Sequence, residues 1–97
     1  MANLLQETLD VLNVETIDEA VKIILWAKVC DTEKGKMYIL PPENTDTDVQ
    51  EFLNSMNGEY NPNDYLRQIV FGTIMLVDGT WLERSDCGWT HRSMPEF

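Results

Sequence analysis

The feature that most constrains the fold is an almost unbroken apolar run, IVFGTIMLV, which ends at an Asp-Gly pair. An Asp-Gly pair between two apolar stretches is a strong hairpin signal, because a type I′ turn needs positive φ at both central positions. We therefore predict a strand, a type I′ turn at Asp78 and Gly79, and a second strand through WLERS. The continuous apolar character predicts a central strand with both faces covered. Gly72 inside the run fits a bulge or a close approach of a neighbouring backbone.

Two helix signals lie within the first 20 residues of the chain. The N-terminal segment has a helical stripe of leucines, with Asn13 as a plausible stop: Leu4, Leu5, Leu9 and Leu12. Thr16 followed three residues later by Glu19 has the form of a capping box, which predicts a helix from Ile17.

Two interpretations are open for the segment VKIILWAKVC that follows. Either one helix continues to about Cys30, or a single helical turn gives way to a strand that hairpins through residues 33–35 into a strand at 36–40. The β-branched and aromatic residues from Val21 onward favour the second interpretation.

Pro41 and Pro42 end that unit. The segment ENTDTDVQEFLNSMNG predicts a helix that is capped by Thr45 or Thr47 and stops at Gly58. Its buried stripe would be Val49, Phe52, Leu53 and Met56. EYNPNDY reads as a loop.

The chain should close with a turn near residues 86–88 and a last strand in WTHRSM, ended by Pro95. The predicted class is α+β, with N-terminal and central helices packed on an antiparallel sheet of about four to five strands ending in a hairpin. Residues 1–97 should form a single domain.

The charge of the chain restricts its partners. The sequence has 17 acidic residues against 7 basic ones, a formal charge of −10. Direct binding of nucleic acid and of anionic membranes is disfavoured, because both need a basic surface. A protein with a basic surface is favoured as a partner. The alternative is that the acidity only keeps the protein soluble.

No signal peptide or membrane-length apolar run is found in the sequence, which predicts a cytoplasmic protein. Cys30 and Cys87 lie far apart without a CxxC pattern, as expected for reduced thiols. A disulfide between them is the open alternative, because sequence gives no Cα distance.

Catalytic and metal signals are weak. Cys87 and His91, with Asp86 to orient the imidazole, resemble a nucleophile and base, but four residues along a strand separate them by roughly 13 Å. One histidine and two scattered cysteines do not give zinc-site spacing. We therefore expect no enzyme, no metal and no cofactor, and we rank a Cys87/His91 hydrolase last.

The acids between residues 41 and 66 are more informative, because no lysine, arginine or histidine occurs there. Asp46, Asp48, Glu51 and Glu59 could mimic a row of phosphates and bind a basic groove on another protein. The alternative is a solvated helix face.

The aromatic residues of the terminal hairpin offer a second candidate contact surface. A partly exposed Trp81 near Arg84 is typical of interface anchors, and Glu83 and Trp89 complete the predicted partner-binding set. The alternative is packing on the sheet.

The motif DGTWLER at residues 78–84, then Gly88, Trp89 and Pro95, resembles a C-terminal hairpin in small proteins of bacteriophages and mobile elements. Those proteins read roughly DG-x-W-L-E-R before a tyrosine-aspartate-glycine turn, a tryptophan and a proline. TIDEAVKIILWAKVC is similar to their upstream helix and tryptophan-containing strand. The resemblance covers about the last third of the chain well, and Cys87 replaces the aromatic-acidic turn. It implies a phage or mobile-element origin, and the motif carries no assigned chemistry.

Together these features predict a small acidic phage-type protein that binds and inhibits a host protein of defence or nucleic-acid handling. It would act as a monomer or homodimer, as a nucleic-acid mimic of the anti-CRISPR or antirestriction kind, in the host cytoplasm if phage-encoded. The alternative is a structural or accessory module that self-associates through sheet edges.

Overall fold

The computed structural model describes residues 2–32, 35–60, 70–85 and 88–95. Three helices lie at Leu4–Leu12 (α1), Ile17–Val21 (α2) and Asp46–Ser55 (α3). Seven strands are Ala2–Asn3 (β1), Ile24–Asp31 (β2), Lys36–Leu40 (β3), Glu59–Tyr60 (β4), Val70–Leu76 (β5), Trp81–Ser85 (β6) and Gly88–Arg92 (β7).

Five strands form an antiparallel sheet in the order β3-β2-β5-β6-β7, and β1 pairs with β4 separately. The α+β class with a five-stranded antiparallel sheet is as predicted. β5 is the middle strand of the sheet, which confirms the central position predicted from its apolar run. The segment predicted as a loop at 59–65 instead begins with β4, and its remainder lies outside the described residues.

Helix α1 ends before Asn13, as the sequence predicts. The Asn3 side chain accepts a hydrogen bond from the Gln6 N–H, and Asn13 adopts the left-handed conformation at φ 59° after the last turn. Asparagine tolerates that conformation better than most residues. The leucine stripe is buried at Leu4, Leu5 and Leu9.

Of the two interpretations for residues 21–30, the short helix followed by a strand is confirmed. Helix α2 is only Ile17–Val21, and β2 begins at Ile24. Thr16 accepts from the Glu19 N–H, but the Glu19 carboxylate accepts from the Glu15 N–H rather than from Thr16, so the capping box is only half formed. β2 and β3 then pair as a hairpin.

Helix α3 has a complete capping box between Thr45 and Asp48. The predicted buried stripe is confirmed at Val49, Phe52, Leu53 and Met56. The predicted stop at Gly58 is wrong, because the helix ends at Ser55 and its cap, Met56, keeps right-handed backbone angles.

The hairpin between β5 and β6 is confirmed, but its turn is not type I′. The Gly79 N–H donates to the Leu76 carbonyl at 3.1 Å, and Gly79 has φ 88° whereas Asp78 has no positive φ. A turn followed by a left-handed glycine is the three-residue hairpin connection, which needs only one residue at positive φ.

Gly72 lies where two backbones approach closely, as predicted. A Cβ at this position would meet the Lys28 carbonyl oxygen at 2.2 Å and the Val29 Cα at 2.7 Å. The register irregularity lies instead in β2, between Ile24 and Trp26.

The helices cover one face of the sheet only. That face contributes the buried strand residues of the core, Ile24, Ala27, Val29, Leu40, Val70, Ile74, Leu76 and Leu82. The prediction that β5 has both faces covered is wrong: Phe71 of β5 is 39% exposed on the other face.

Candidate binding surfaces

The helices carry a one-sided acidic surface, which we call the acidic helix layer. Every charged residue in them is an acid: Glu7 and Asp10 in α1, Asp18 and Glu19 in α2, and Asp46, Asp48 and Glu51 in α3. The described lysines and arginines lie on strands or, for Lys22, just after α2. Sequence reasoning found only the α3 part. The acids of α1 and α2 could have been found from the sequence, because none of the three predicted helices contains a basic residue.

The predicted acids of α3 differ in their local roles. Asp46, Asp48 and Glu51 are all exposed. The Asp48 carboxylate also accepts the Thr45 N–H at 2.9 Å as part of the capping box. Asp46 and Glu51 therefore remain the acids whose substitution leaves the helix start intact. Glu59 lies on β4, and its side chain is outside the described part of the structure.

A groove of about 610 Å³ separates α3 from β3. One wall is the strand, and the other is one face of the helix, with Asp48, Glu51, Phe52 and Ser55. Among the described residues β3 pairs with β2 alone, so its outer edge presents backbone donors and acceptors. An edge strand beside a helix is a geometry that accepts an added extended segment.

Tyr38 lines this groove and keeps its proton at neutral pH. Burial raises the pKa of its phenol, and the nearby Asp31 carboxylate raises that pKa further. The hydroxyl is therefore available as a hydrogen-bond donor.

Trp81 and Glu83 project from the face of the sheet that the helices leave open. The Trp81 indole N–H donates to Glu83 Oε1 at 3.0 Å, and Arg92 Nε lies 2.6 Å from Glu83 Oε2. The indole hydrogen bond, and secondly the Arg92 charge, lower the pKa of the Glu83 carboxyl. This cluster joins β6 to β7 and holds the half-buried Trp81 ring in place.

Arg84 and Trp89 lie on the opposite, helix-covered face. Arg84 is 8% exposed, its Nη2 is 3.2 Å from Glu7 Oε2, and its guanidinium lies 5.7 Å from the centroid of the Trp89 ring. The Trp89 indole N–H donates to the Thr8 hydroxyl at 2.9 Å. The expectation that Arg84 stands at the surface beside Trp81 is wrong, because alternate residues of β6 point to opposite faces. Arg84 and Trp89 instead join α1 to the sheet.

The uncovered side of the sheet, here called the open face, is largely apolar. Strand register places the following residues on it: Trp26, Lys28 and Cys30 of β2, Met37 and Ile39 of β3, Phe71, Thr73 and Met75 of β5, Trp81 and Glu83 of β6, and Thr90 and Arg92 of β7. Met37 is 53% and Ile39 58% exposed. The apolar residues of this face lie on β3, β2 and β5 and, with Trp81, on β6. Monomeric proteins seldom expose an apolar patch that spans several strands. The sequence analysis missed this surface because it assumed that both faces were covered.

The residues proposed for hydrolysis do not form a recognisable catalytic group in the described part of the structure. Cys87 lies outside the described residues, and Cys30 is a free thiol on the open face. His91 is exposed, with Nε2 2.7 Å from the Thr80 hydroxyl, and Thr80 donates to Asp78 at 2.6 Å. The Thr80 hydroxyl, followed by its backbone N–H, lowers the pKa of Asp78. These hydrogen bonds stabilise the turn between β5 and β6.

A second, smaller pocket also borders β3. A pocket lined by Asp31, Lys36 and Tyr38 holds about 110 Å³, below the roughly 300 Å³ at which ligand pockets begin. Among residues 2–32, 35–60, 70–85 and 88–95, no three His, Cys, Asp or Glu side chains gather in a way that could hold a metal ion.

Comparison with known proteins gives no relative: no protein-family model matches the chain, and searches of curated proteins and of solved structures found no match. Within the described residues, no helix has the length and apolar character needed to span a bilayer.

Proposed function

We propose that this chain is a non-enzymatic binding protein whose acidic helix layer occupies a basic surface of a partner protein. The observation that carries the proposal is the one-sided charge: all charged residues of the three helices are acidic. Such an arrangement steers a basic partner toward one side of the molecule and sets its orientation.

The partner class that fits this surface is a protein that handles nucleic acid, because its basic groove normally holds phosphates. Occupation of that groove by Asp46, Glu51 and their neighbours would exclude nucleic acid. The chain would then act as an inhibitor by mimicry, in agreement with the phage-type hairpin that its C-terminal motif resembles. An extended basic segment of the partner fits the groove beside β3, where Asp48 and Glu51 form one wall.

The test is capture from a bacterial lysate on the immobilised chain at low and high ionic strength. We expect basic nucleic-acid-binding proteins to be retained at about 0.01 M salt and released at about 1 M, as the Debye length shortens from about 30 Å to about 3 Å. The double variant Asp46→Asn, Glu51→Gln should weaken retention about tenfold. An electrophoretic mobility assay with a captured protein should show displacement of its nucleic acid.

A matched control separates surface placement from total charge. Ser93→Lys with Met94→Lys changes the net charge by the same amount at two exposed residues beyond β7. This control should bind like the wild type. Equal weakening by the control, or retention that does not depend on salt, would refute the proposed role of the acidic helix layer.

A second candidate is a self-associating structural module without inhibitory action. The exposed apolar residues of the open face favour it. It predicts assembly of the pure chain and no salt-sensitive capture of other proteins.

A further inference from the structure

The strand register arranges the side chains of the open face in rows that run across the sheet. Three rows of side chains cross it, and each row passes through β5: Met37, Cys30 and Phe71; Ile39, Lys28, Thr73, Glu83 and Thr90; and Trp26, Met75, Trp81 and Arg92. β5 is the middle strand, with β2 on one side and β6 on the other. The face therefore has a natural centre line.

From this arrangement we infer that the open face is covered by the open face of a second copy of this chain. A two-fold axis parallel to β5 places β2 of one copy over β6 of the other, as an isologous contact requires. Residues of β5 then meet their own counterparts. Aligned packing of two sheets at about 10 Å is an ordinary arrangement for antiparallel sheets.

The same symmetry pairs complementary groups within each row. In the middle row Lys28 of one copy lies over Glu83 of the second copy, so two opposite-charge contacts form for each dimer. In the third row Trp26 lies over Trp81 of the second copy, and aromatic pairs stabilise interfaces beyond their buried area. A single two-fold axis therefore gives both the opposite-charge contacts and the aromatic contacts.

The available area lies near the lower limit for a specific dimer. The three rows hold three, five and four residues. With strands about 4.8 Å apart and rows about 7 Å apart, these positions cover roughly 400 Å² of flat area for each copy. Side-chain relief raises the accessible area above the flat area, so the pair approaches the roughly 1,200 Å² at which specific interfaces begin.

The charge of the chain does not oppose this contact. The helices lie on the far side of each sheet, so the acidic helix layers of the two copies face outward in opposite directions. The distance between the two acidic helix layers, which both sheets separate, exceeds the Debye length of about 8 Å at physiological salt. The inference is independent of the proposed function, since the acidic helix layer remains free in the dimer.

A charge-swap experiment tests the contact between Lys28 and Glu83. Lys28→Glu alone and Glu83→Lys alone each place like charges opposite one another twice in a homodimer, so each should dimerise at least tenfold more weakly than the wild type. A mixture of the two variants restores both opposite-charge contacts and should form a heterodimer. Analytical ultracentrifugation over a concentration series, with one variant fluorescently labelled, measures all three.

Apolar variants test the face independently of charge. Ile39→Asp on the open face should dissociate the dimer, whereas Val77→Asp in the hairpin turn should leave it intact, and both residues are 58% exposed. Circular dichroism checks that each variant is folded. Maleimide labelling of Cys30, resolved by peptide mass spectrometry, should be slow in the dimer and fast in Ile39→Asp.

The inference would be overturned by three results. The first is a wild-type chain that remains a monomer at the highest concentration. The second is a dimer that resists Ile39→Asp and leaves Cys30 reactive, which would place the contact at a sheet edge. The third is the absence of a heterodimer from the charge-swap mixture.

Discussion

The Trp89 indole N–H donates to the Thr8 hydroxyl at 2.9 Å, and so joins the last strand of the sheet to the first helix. The same hydroxyl donates to the Leu4 carbonyl one turn earlier at 2.8 Å. Thr8 is fully buried. The Thr8 hydroxyl therefore makes one hydrogen bond within α1 and one to β7, which is far away in the sequence.

Substitution of Thr8 by valine should destabilise the protein by about 1–2 kcal/mol, because the partly buried indole N–H of Trp89 loses its acceptor while the shape is kept. For a domain of this size each 1 kcal/mol lowers the Tm by about 4–8 °C. Urea unfolding measures the free energy, and the exchange of the Trp89 indole proton identifies its cause. Thr8→Ser keeps the hydroxyl and should keep that proton protected. Equal protection in Thr8→Val would show that the bond contributes nothing.

Much of the fold follows from local signals in the sequence. The Asp-Gly hairpin, the leucine stripe before Asn13 and the cap at Thr45 each depend on chemistry within a few residues, and each is confirmed. The turn type at Asp78 was wrong because hairpins of two and three residues share the same Asp-Gly signal. Gly58 was misassigned because a glycine after a helix indicates a cap without fixing its distance.

The candidate surfaces were less predictable, because they depend on which residues share a face. Trp81 and Arg84 lie three residues apart in one strand and point to opposite sides of the sheet. Asp18 belongs to the same acidic layer as Asp46 only because α2 packs against α3. The open face was not predicted, because a strand with two apolar faces has the same sequence pattern whether its second face packs on a helix or on another molecule.

The close approach at Gly72 predicts a severe effect of a single methyl group. Gly72→Ala would place a Cβ 2.2 Å from the Lys28 carbonyl oxygen, where only backbone could move aside. We expect a loss of more than about 3 kcal/mol in the free energy of unfolding, at the upper end for single substitutions. Gly35→Asn is the control, since nothing lies within 4 Å of that position and asparagine tolerates its φ of 65°. Similar unfolding midpoints for the two variants would contradict the close packing of β2 on β5.

The ion pair between Glu7 and Arg84 predicts a difference between two acids of the same helix. Glu7→Gln should cost about 1–3 kcal/mol, because the buried Arg84 guanidinium loses the negative charge of the Glu7 carboxylate. Asp10→Asn should cost less than about 0.5 kcal/mol, since Asp10 is exposed and its carboxylate accepts a hydrogen bond from Gln6 on its own helix. Chemical denaturation of both variants makes the comparison. A cost for Asp10→Asn as large as that for Glu7→Gln would assign the effect to the charge of α1 in general.

The hydrogen bond from Trp81 to Glu83 predicts an acid-sensitive contact on the open face. The pKa of Glu83 is lowered in the folded state, first by the indole and then by Arg92. Its stabilising contribution is therefore complete above the unfolded pKa of about 4.3 and is lost as the pH falls through the lower folded value. The Trp81 indole proton resonance, assigned through Trp81→Phe, should shift in that acid range, and in Glu83→Gln the shift should disappear. Glu83→Gln keeps an acceptor for the indole without the charge, so a shift that persists in this variant would trace to another carboxyl group.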